Sequence, residues 1–202
     1  PEEPYVNQVT FYQTNKYNST ESGRHLLRRV ERQITKFLNG ELNARDVFDI
    51  KLMAKAYAIS DIFGHDHPIL AYNIRYYLNP ISGLIEPVPY DQQEIKRIEE
   101  KGLIGERNKH FTDTSSYSEK IISYLFRDSE FSREYGKALN QFSKKNWLDE
   151  FFKITEIESN REISLLQKSF IRYEFSQKDT LYENQNYIRS RLRERNPLIA
   201  YL

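Results

Sequence analysis

The sequence predicts a mainly α-helical (α+β) fold carrying one short antiparallel β-hairpin, and three observations predict it. Apolar residues recur at helical spacing along most of the chain, the period changes to two over one stretch near residues 72–88, and turn residues bracket that stretch. The chain of 202 residues is long enough to bury a sizeable core. Hydrophobic residues make up only 39%, but 15 Tyr and 12 Phe each bring a large buried area, so an aromatic-rich core is expected.

Residues 1–23 are rich in Asn, Gln, Thr, Ser and Tyr without a sustained period and read as an extended lead-in; 24–202 reads as a single helical domain. From Arg24, the residues Leu26, Leu27, Val30, Ile34, Phe37 and Leu38 define a helix stopped by Asn39-Gly40. A second helix begins near Asp46, with Ile50, Met53, Ala54, Tyr57, Ala58 and Ile62 on one stripe and Leu52, Ala56 and Ile59 on the other side, as in a central core helix. After Gly64 the alternation Tyr72, Ile74, Tyr76, Leu78 marks a strand, Asn79-Pro80-Ile81-Ser82-Gly83 a turn, and Leu84 to Val88 the returning strand. Pro87 and Pro89 lack backbone donors, which makes that second strand short and peripheral.

Helices then resume. A short one is expected over 92–101 and a loop over 102–115, and Ser116-x-x-Glu119 forms a capping-box signal before Ile121, Ile122, Leu125 and Phe126. Phe131, Tyr135, Ala138, Leu139 and Phe142 make the next stripe. Asn146 is placed to cap a long helix through Trp147, Phe151 and Ile154 toward Phe170, and Thr180-x-x-Glu183 opens a last helix ending near Arg195. These aromatic stripes read as core, not as ligand boxes.

Composition narrows function by exclusion. Lys and Arg number 30 against 29 Asp and Glu, so no global field points to nucleic acid or an anionic membrane as partner. The most basic segment, Ile188 to Arg195, puts Arg189 and Arg193 on a helix face that reads as solvated charge more readily than as a phosphate contact. No apolar run approaches the roughly 20 residues that span a bilayer. With no Cys there is no thiolate nucleophile and no cysteine-ligated zinc.

The hairpin is where chemistry is expected. Alternation sends Asn73 and Arg75 away from the apolar face, while Asp66 enters the hairpin and Asp91 leaves it, so antiparallel closure can gather three oxygen-bearing side chains at one end. Phosphoryl transfer uses such a set: one Asp orients the attacking hydroxyl, and an Asn and a second Asp hold Mg²⁺ against the nucleotide phosphates. Against this stands the plainer reading that Asp66 and Asp91 cap turns or helices, Asp91 standing just before the helix expected from Gln92.

The run "NIRYYLNPISGLIEPVPYD", preceded by "FGHDH" and followed by "FSREYGKALNQFSKKNWLDEFF", resembles the CotH family of atypical protein kinases. The likeness is best over 46–91 and extends more weakly to about 195. It implies a kinase-like C-terminal lobe, ATP and Mg²⁺ as cofactors, a protein hydroxyl as acceptor, and a secreted or cell-envelope setting. By match of position, Asp91 corresponds to the family's metal-binding Asp, Asp66 to its catalytic Asp, and Asn73 to a metal or phosphate contact. Gln92 and Gln93 stand where further aromatic or acidic residues would occur. The 65 residues before Asp66 hold no glycine-rich loop, and none of Lys16, Lys36, Lys51 or Lys55 sits on a strand pattern, so the chain reads as the C-terminal part of a longer kinase, inactive alone. Two alternatives belong to other classes: a non-catalytic interaction or pseudokinase module, and a metal-dependent hydrolase using His65, His67 and Asp91 or His110.

Overall fold

The computed structural model describes residues 12–69, 73–107 and 117–194. Within them the fold is mainly α with one two-stranded antiparallel sheet, as expected. In chain order the elements are α1 (Thr14–Asn18), α2 (Glu21–Leu38), α3 (Ala44–Val47), α4 (Ile50–Ile62), β1 (Arg75–Leu78), β2 (Ile85–Val88), α5 (Ile104–Arg107), α6 (Tyr117–Arg127), α7 (Ser129–Phe142), α8 (Trp147–Gln167) and α9 (Lys178–Glu194). No described helix is long and apolar enough to cross a membrane.

Helix α4 is the centre of the core. Met53, Ala54, Tyr57, Ala58 and Ile62 are buried against α7, whereas Leu52 and Ile59, on the side also read as apolar, stay partly in water. The packing is aromatic. The Tyr57 ring meets Phe126 and Phe131 edge-on, and Phe126 in turn meets Phe131 and Tyr135, the geometry that aromatic quadrupoles prefer. Helix α2 adds Leu27, Ile34 and Phe37, the last edge-on to Phe48.

Starts and stops explain most differences from the sequence reading. Helix α2 begins at Glu21, three residues before Arg24, because the Thr20 side chain accepts a hydrogen bond from the Gly23 N–H; α1 lies just ahead, where the composition reads as an extended lead-in. Asp128 caps α7 through one carboxylate oxygen and takes the Ala44 N–H with the other, tying two helix starts together. Asn146 precedes α8 but makes no side-chain cap; its amide donates to Glu150 instead. Helix α9 opens at Lys178, so Thr180 lies inside it and Glu183 is spent on an ion pair with Arg97. Ser116 lies outside the described residues, as do His110 and Tyr72.

The helix expected over 92–101 is absent: 91–97 is irregular and only Ile98–Glu100 makes a 3₁₀ turn. Side chains from α9 and the residue before it meet the backbone groups of this segment instead. Asn184 accepts from the Ile98 N–H (2.9 Å) and donates to the carbonyls of Lys96 (2.7 Å) and Ile62 (2.9 Å), and Gln177 accepts from the Ile95 N–H. These bonds supply what a helix would have supplied internally. Gly64 makes the close approach feasible. Its φ is +63°, and a Cβ there would lie 1.8 Å from the Lys96 carbonyl oxygen.

The basic end of α9 is also structural. Arg189 donates through Nε and Nη2 to the Ser143 carbonyl at the end of α7, Arg191 binds Glu106, and Ile188 is fully buried. Among the described arginines of this end, only Arg193 is exposed, which leaves little of a phosphate-binding face.

Candidate functional site

The hairpin is set by its turn. Asn79 accepts from the N–H groups of Ile81 and Ser82 through its side chain, while its own N–H and carbonyl bond Leu84 and Gly83 across the loop. This turn fixes the register: Arg75 opposite Val88, Tyr76 opposite Pro87, Tyr77 opposite Glu86 and Leu78 opposite Ile85. Ile74 is buried and Arg75 and Tyr77 face water, as the alternation predicts. Ile85, almost wholly buried, bridges Phe48 and accepts from the Asp49 N–H at 2.9 Å, which fastens the ribbon to the start of α4.

The opposite end of the ribbon converges on the turn His65–Asp66–His67. Asp91 Oδ2 lies 3.1 Å from His67 Nε2, and Asn73 Nδ2 donates to the His67 carbonyl oxygen at 3.2 Å. His67 thus joins the residue that enters β1 to the residue beyond β2. The Asn73 nitrogen is the donor in this contact, which directs the amide oxygen away from the His67 carbonyl. Asp91 has a φ of +61°, the left-handed region that a non-glycine residue enters at a cost, and it has no helix after it to cap. The helix-capping explanation for Asp91 therefore falls away, while a turn role, for which Asp suits left-handed backbone, stands beside the ligand reading.

Asp66, between the two histidines, is held by cations of the 101–107 segment. It is nearly buried, Arg107 Nη1 donates to its Oδ2 at 2.9 Å, and Lys101 Nζ stands 3.5 Å from its Oδ1. Burial pushes this carboxyl up, but the Arg107 hydrogen bond and charge, with Lys101, outweigh that and hold it below the usual carboxylate range. His65 shares the turn. Its Nδ1 accepts from the His67 N–H at 2.9 Å, and burial, then the Lys101 ammonium, lower its pKa.

Beneath this turn lies a second carboxylate that periodicity alone does not single out. Asp61, in the last turn of α4, is 2% exposed; Oδ1 accepts from the Ile104 N–H at 3.0 Å and Oδ2 from the Tyr135 hydroxyl, which itself accepts from the Gly105 N–H at 3.2 Å. Burial raises its carboxyl to about 7 against the opposing pull of those hydrogen bonds. Asp61 and Asp66 together clamp the 101–107 segment onto the end of α4. The available signal is an Asp inside an otherwise apolar helical stripe, a position that demands a buried partner.

Comparison of the chain with family models, curated proteins and solved structures returns no match. The structure brings Asn73 and Asp91 to one histidine and commits Asp66 to two cations beside it. Among the described residues no group of three His, Asp or Glu side chains is gathered as a metal site, so the hydrolase arrangement finds no assembled ligand set there. Lys16, Lys36, Lys51 and Lys55 all lie on helices.

Proposed function

We propose that this chain is the C-terminal lobe of a CotH-like phosphotransferase, acting in a longer, secreted or envelope protein that passes the ATP γ-phosphoryl group to a protein hydroxyl. The observation that carries the reading is Asp91: a carboxylate in left-handed backbone at the exit of the hairpin, half exposed, held by a histidine that also holds Asn73. Strained backbone kept at a ribbon end, without a capping role, is characteristic of a functional position.

The donor set suits Mg²⁺. Asp91 and the amide oxygen of Asn73 are hard oxygen donors, and a magnesium site needs only one or two protein groups because the ion keeps several waters. When bound, the ion supplies charge neutralisation across the phosphate oxygens. Asp66 has a narrower role than a general base. Its depressed pKa makes it a weak proton acceptor, so it orients the acceptor hydroxyl through Oδ1, the oxygen with the longer cation distance. Lys101, partly exposed beside it, is placed to face a phosphate oxygen.

The test is paramagnetic. Mn²⁺–ATP titrated into the isotopically labelled chain is expected to broaden the amide signals of residues 65–67, 73 and 91 first, and Asp91→Ala and Asn73→Ala are expected to remove that selectivity. Uniform broadening, or the same pattern in Asp91→Ala, would overturn the assignment and favour the non-catalytic interaction module. That second reading is supported by the two cations that already occupy Asp66.

A further inference from the structure

Helix α8 leaves the core after its first turns. Leu148 is buried in it, but Ile154 and Ile157 are 82% and 87% exposed, and the segment after the helix exposes Phe170 and Ile171 as well. Between α8, the returning segment 168–177 and the start of α9 runs an apolar groove of about 810 Å³, floored by Phe151, Phe152, Ile163, Leu166, Tyr173 and Phe175. The returning segment is shaped to make this wall: the Ser169 and Phe170 N–H groups bond the Leu166 carbonyl, and Gln167 donates to the Tyr173 carbonyl.

The rim of the groove is acidic. Asp149, Glu156, Glu158 and Glu162 line it against Lys153 and Lys178. Two of these are engaged internally: Asp149 accepts from the Tyr182 hydroxyl at 2.6 Å, and the Lys178 ammonium sits 4.7 Å over the Phe152 ring. Glu158 and Glu162 are one helical turn apart on the same face, a like-charge spacing that weakens an isolated helix. A helix that projects from its core, repels itself along one face and lines an apolar trough is stabilised by a cationic partner that fills the trough. The lining runs along α8 from Asp149 to Leu166, about 27 Å at the helical rise, a length that suits an extended helical occupant.

From this charge complementarity we infer that the groove is a docking site for a basic amphipathic helix of a partner protein, its apolar face against Phe151, Leu166 and Phe175 and its Lys or Arg side chains on Glu156, Glu158 and Glu162. This is the helix-in-groove mode of recognition. It is independent of the phosphotransfer reading, since none of Asp66, Asn73 or Asp91 lines the groove.

The chain carries its own reporter. Its single Trp, Trp147, stacks on Phe151 with ring planes 9° apart and centroids at 5.7 Å. A Trp-free amphipathic Leu/Lys peptide of about 18 residues, long enough for the trough, is titrated while Trp147 emission is read. Controls are a peptide of the same composition with the leucines dispersed and a Leu/Glu amphipathic peptide. Saturable binding in the micromolar range, at least about tenfold tighter than either control, is expected. The double variant Glu158→Gln, Glu162→Gln removes a repulsive pair and so does not threaten the fold, and it is expected to weaken binding about tenfold. Leu166→Asp should do so from the apolar side. Equal affinity for the dispersed peptide, or no loss in the double variant, would overturn the inference. So would sedimentation showing that the chain dimerises and that Leu166→Asp restores the monomer, which would make a second copy the occupant.

Discussion

Asp61 and Asp91 meet opposite treatment, although each belongs to the region around the His65–His67 turn. Asp61 is buried and both its oxygens are spent on the protein, one on a backbone N–H of the 101–107 segment and one on Tyr135. Asp91 is exposed, held by one histidine, and sits in backbone that an alanine would resist. The first carboxylate maintains a fold; the second sits in left-handed backbone against one histidine. Asp66 is ion-paired like a structural residue yet adjoins His67, the partner of Asp91.

The sharpest way to break this contrast is Asp61→Ala. Truncation strands the Ile104 N–H and the Tyr135 hydroxyl in the core and opens a small void, and losses of this kind cost about 3 kcal/mol or more in sum. The denaturant midpoint is expected to fall with the slope of the transition unchanged. Asp91→Ala, measured alongside, should fall by about 1 kcal/mol at most. Comparable losses would abolish the distinction.

The next test is smaller and depends on pH. The Asp61 carboxyl is raised in the folded protein to about 7 from an ordinary 3.8, so between those values the folded state binds more protons than the unfolded chain. The contribution of Asp61 to stability is therefore fully present below about pH 4 and is lost as pH rises through 7. Asp66 runs the other way: its carboxyl is lowered, so its contribution is present above the ordinary carboxylate value and is lost only as pH falls through the depressed one. Asp61 makes stability rise on acidification from about pH 8 toward pH 4.5, His65, whose pKa is lowered, opposes that rise below its ordinary 6.5, and Asp66 turns the curve over at lower pH. Asp61→Asn keeps an acceptor for the Ile104 N–H but cannot titrate, and because its Nδ2 replaces the oxygen that accepts from the Tyr135 hydroxyl it lowers stability at every pH; it should flatten the rise and leave the acid turnover. A slope unchanged in that variant would place the titration elsewhere.

What is legible in the sequence divides along the same physical line. Periodicity locates the buried face of α4, the stripes of α2 and α7, and the hairpin with its Asn79–Gly83 turn, because each is decided by neighbours within a few residues. The missing helix at 92–101 is decided by Asn184 and Gln177, more than 80 residues away, and the fate of Arg189 by a carbonyl at the end of α7. No local pattern carries such pairings. The site is half legible. Alternation and closure place Asn73 and Asp91 at one end of the ribbon, but the partners of Asp66 lie on the 101–107 segment, and nothing near Asp66 in sequence announces them.

The smallest expected effect is the most telling for Asp91. Glycine adopts a φ of +61° without the Cβ penalty, although it gains freedom in the unfolded chain, and the exposed pairing with His67 that Asp91→Gly removes is worth little. These terms nearly offset, so Asp91→Gly is expected to leave stability within about 0.5 kcal/mol of the parent, while Asp91→Ala, which keeps the strain and removes the carboxylate, falls below both. The two variants should nonetheless behave alike toward Mn²⁺–ATP, each losing selective broadening near residues 65–67 and 73. That pattern, stability separated from binding at one position, identifies a side chain retained for a ligand. If Asp91→Gly instead destabilises as much as Asp91→Ala, the carboxylate is a strut for the His67 turn, and the strain at this position has a structural explanation.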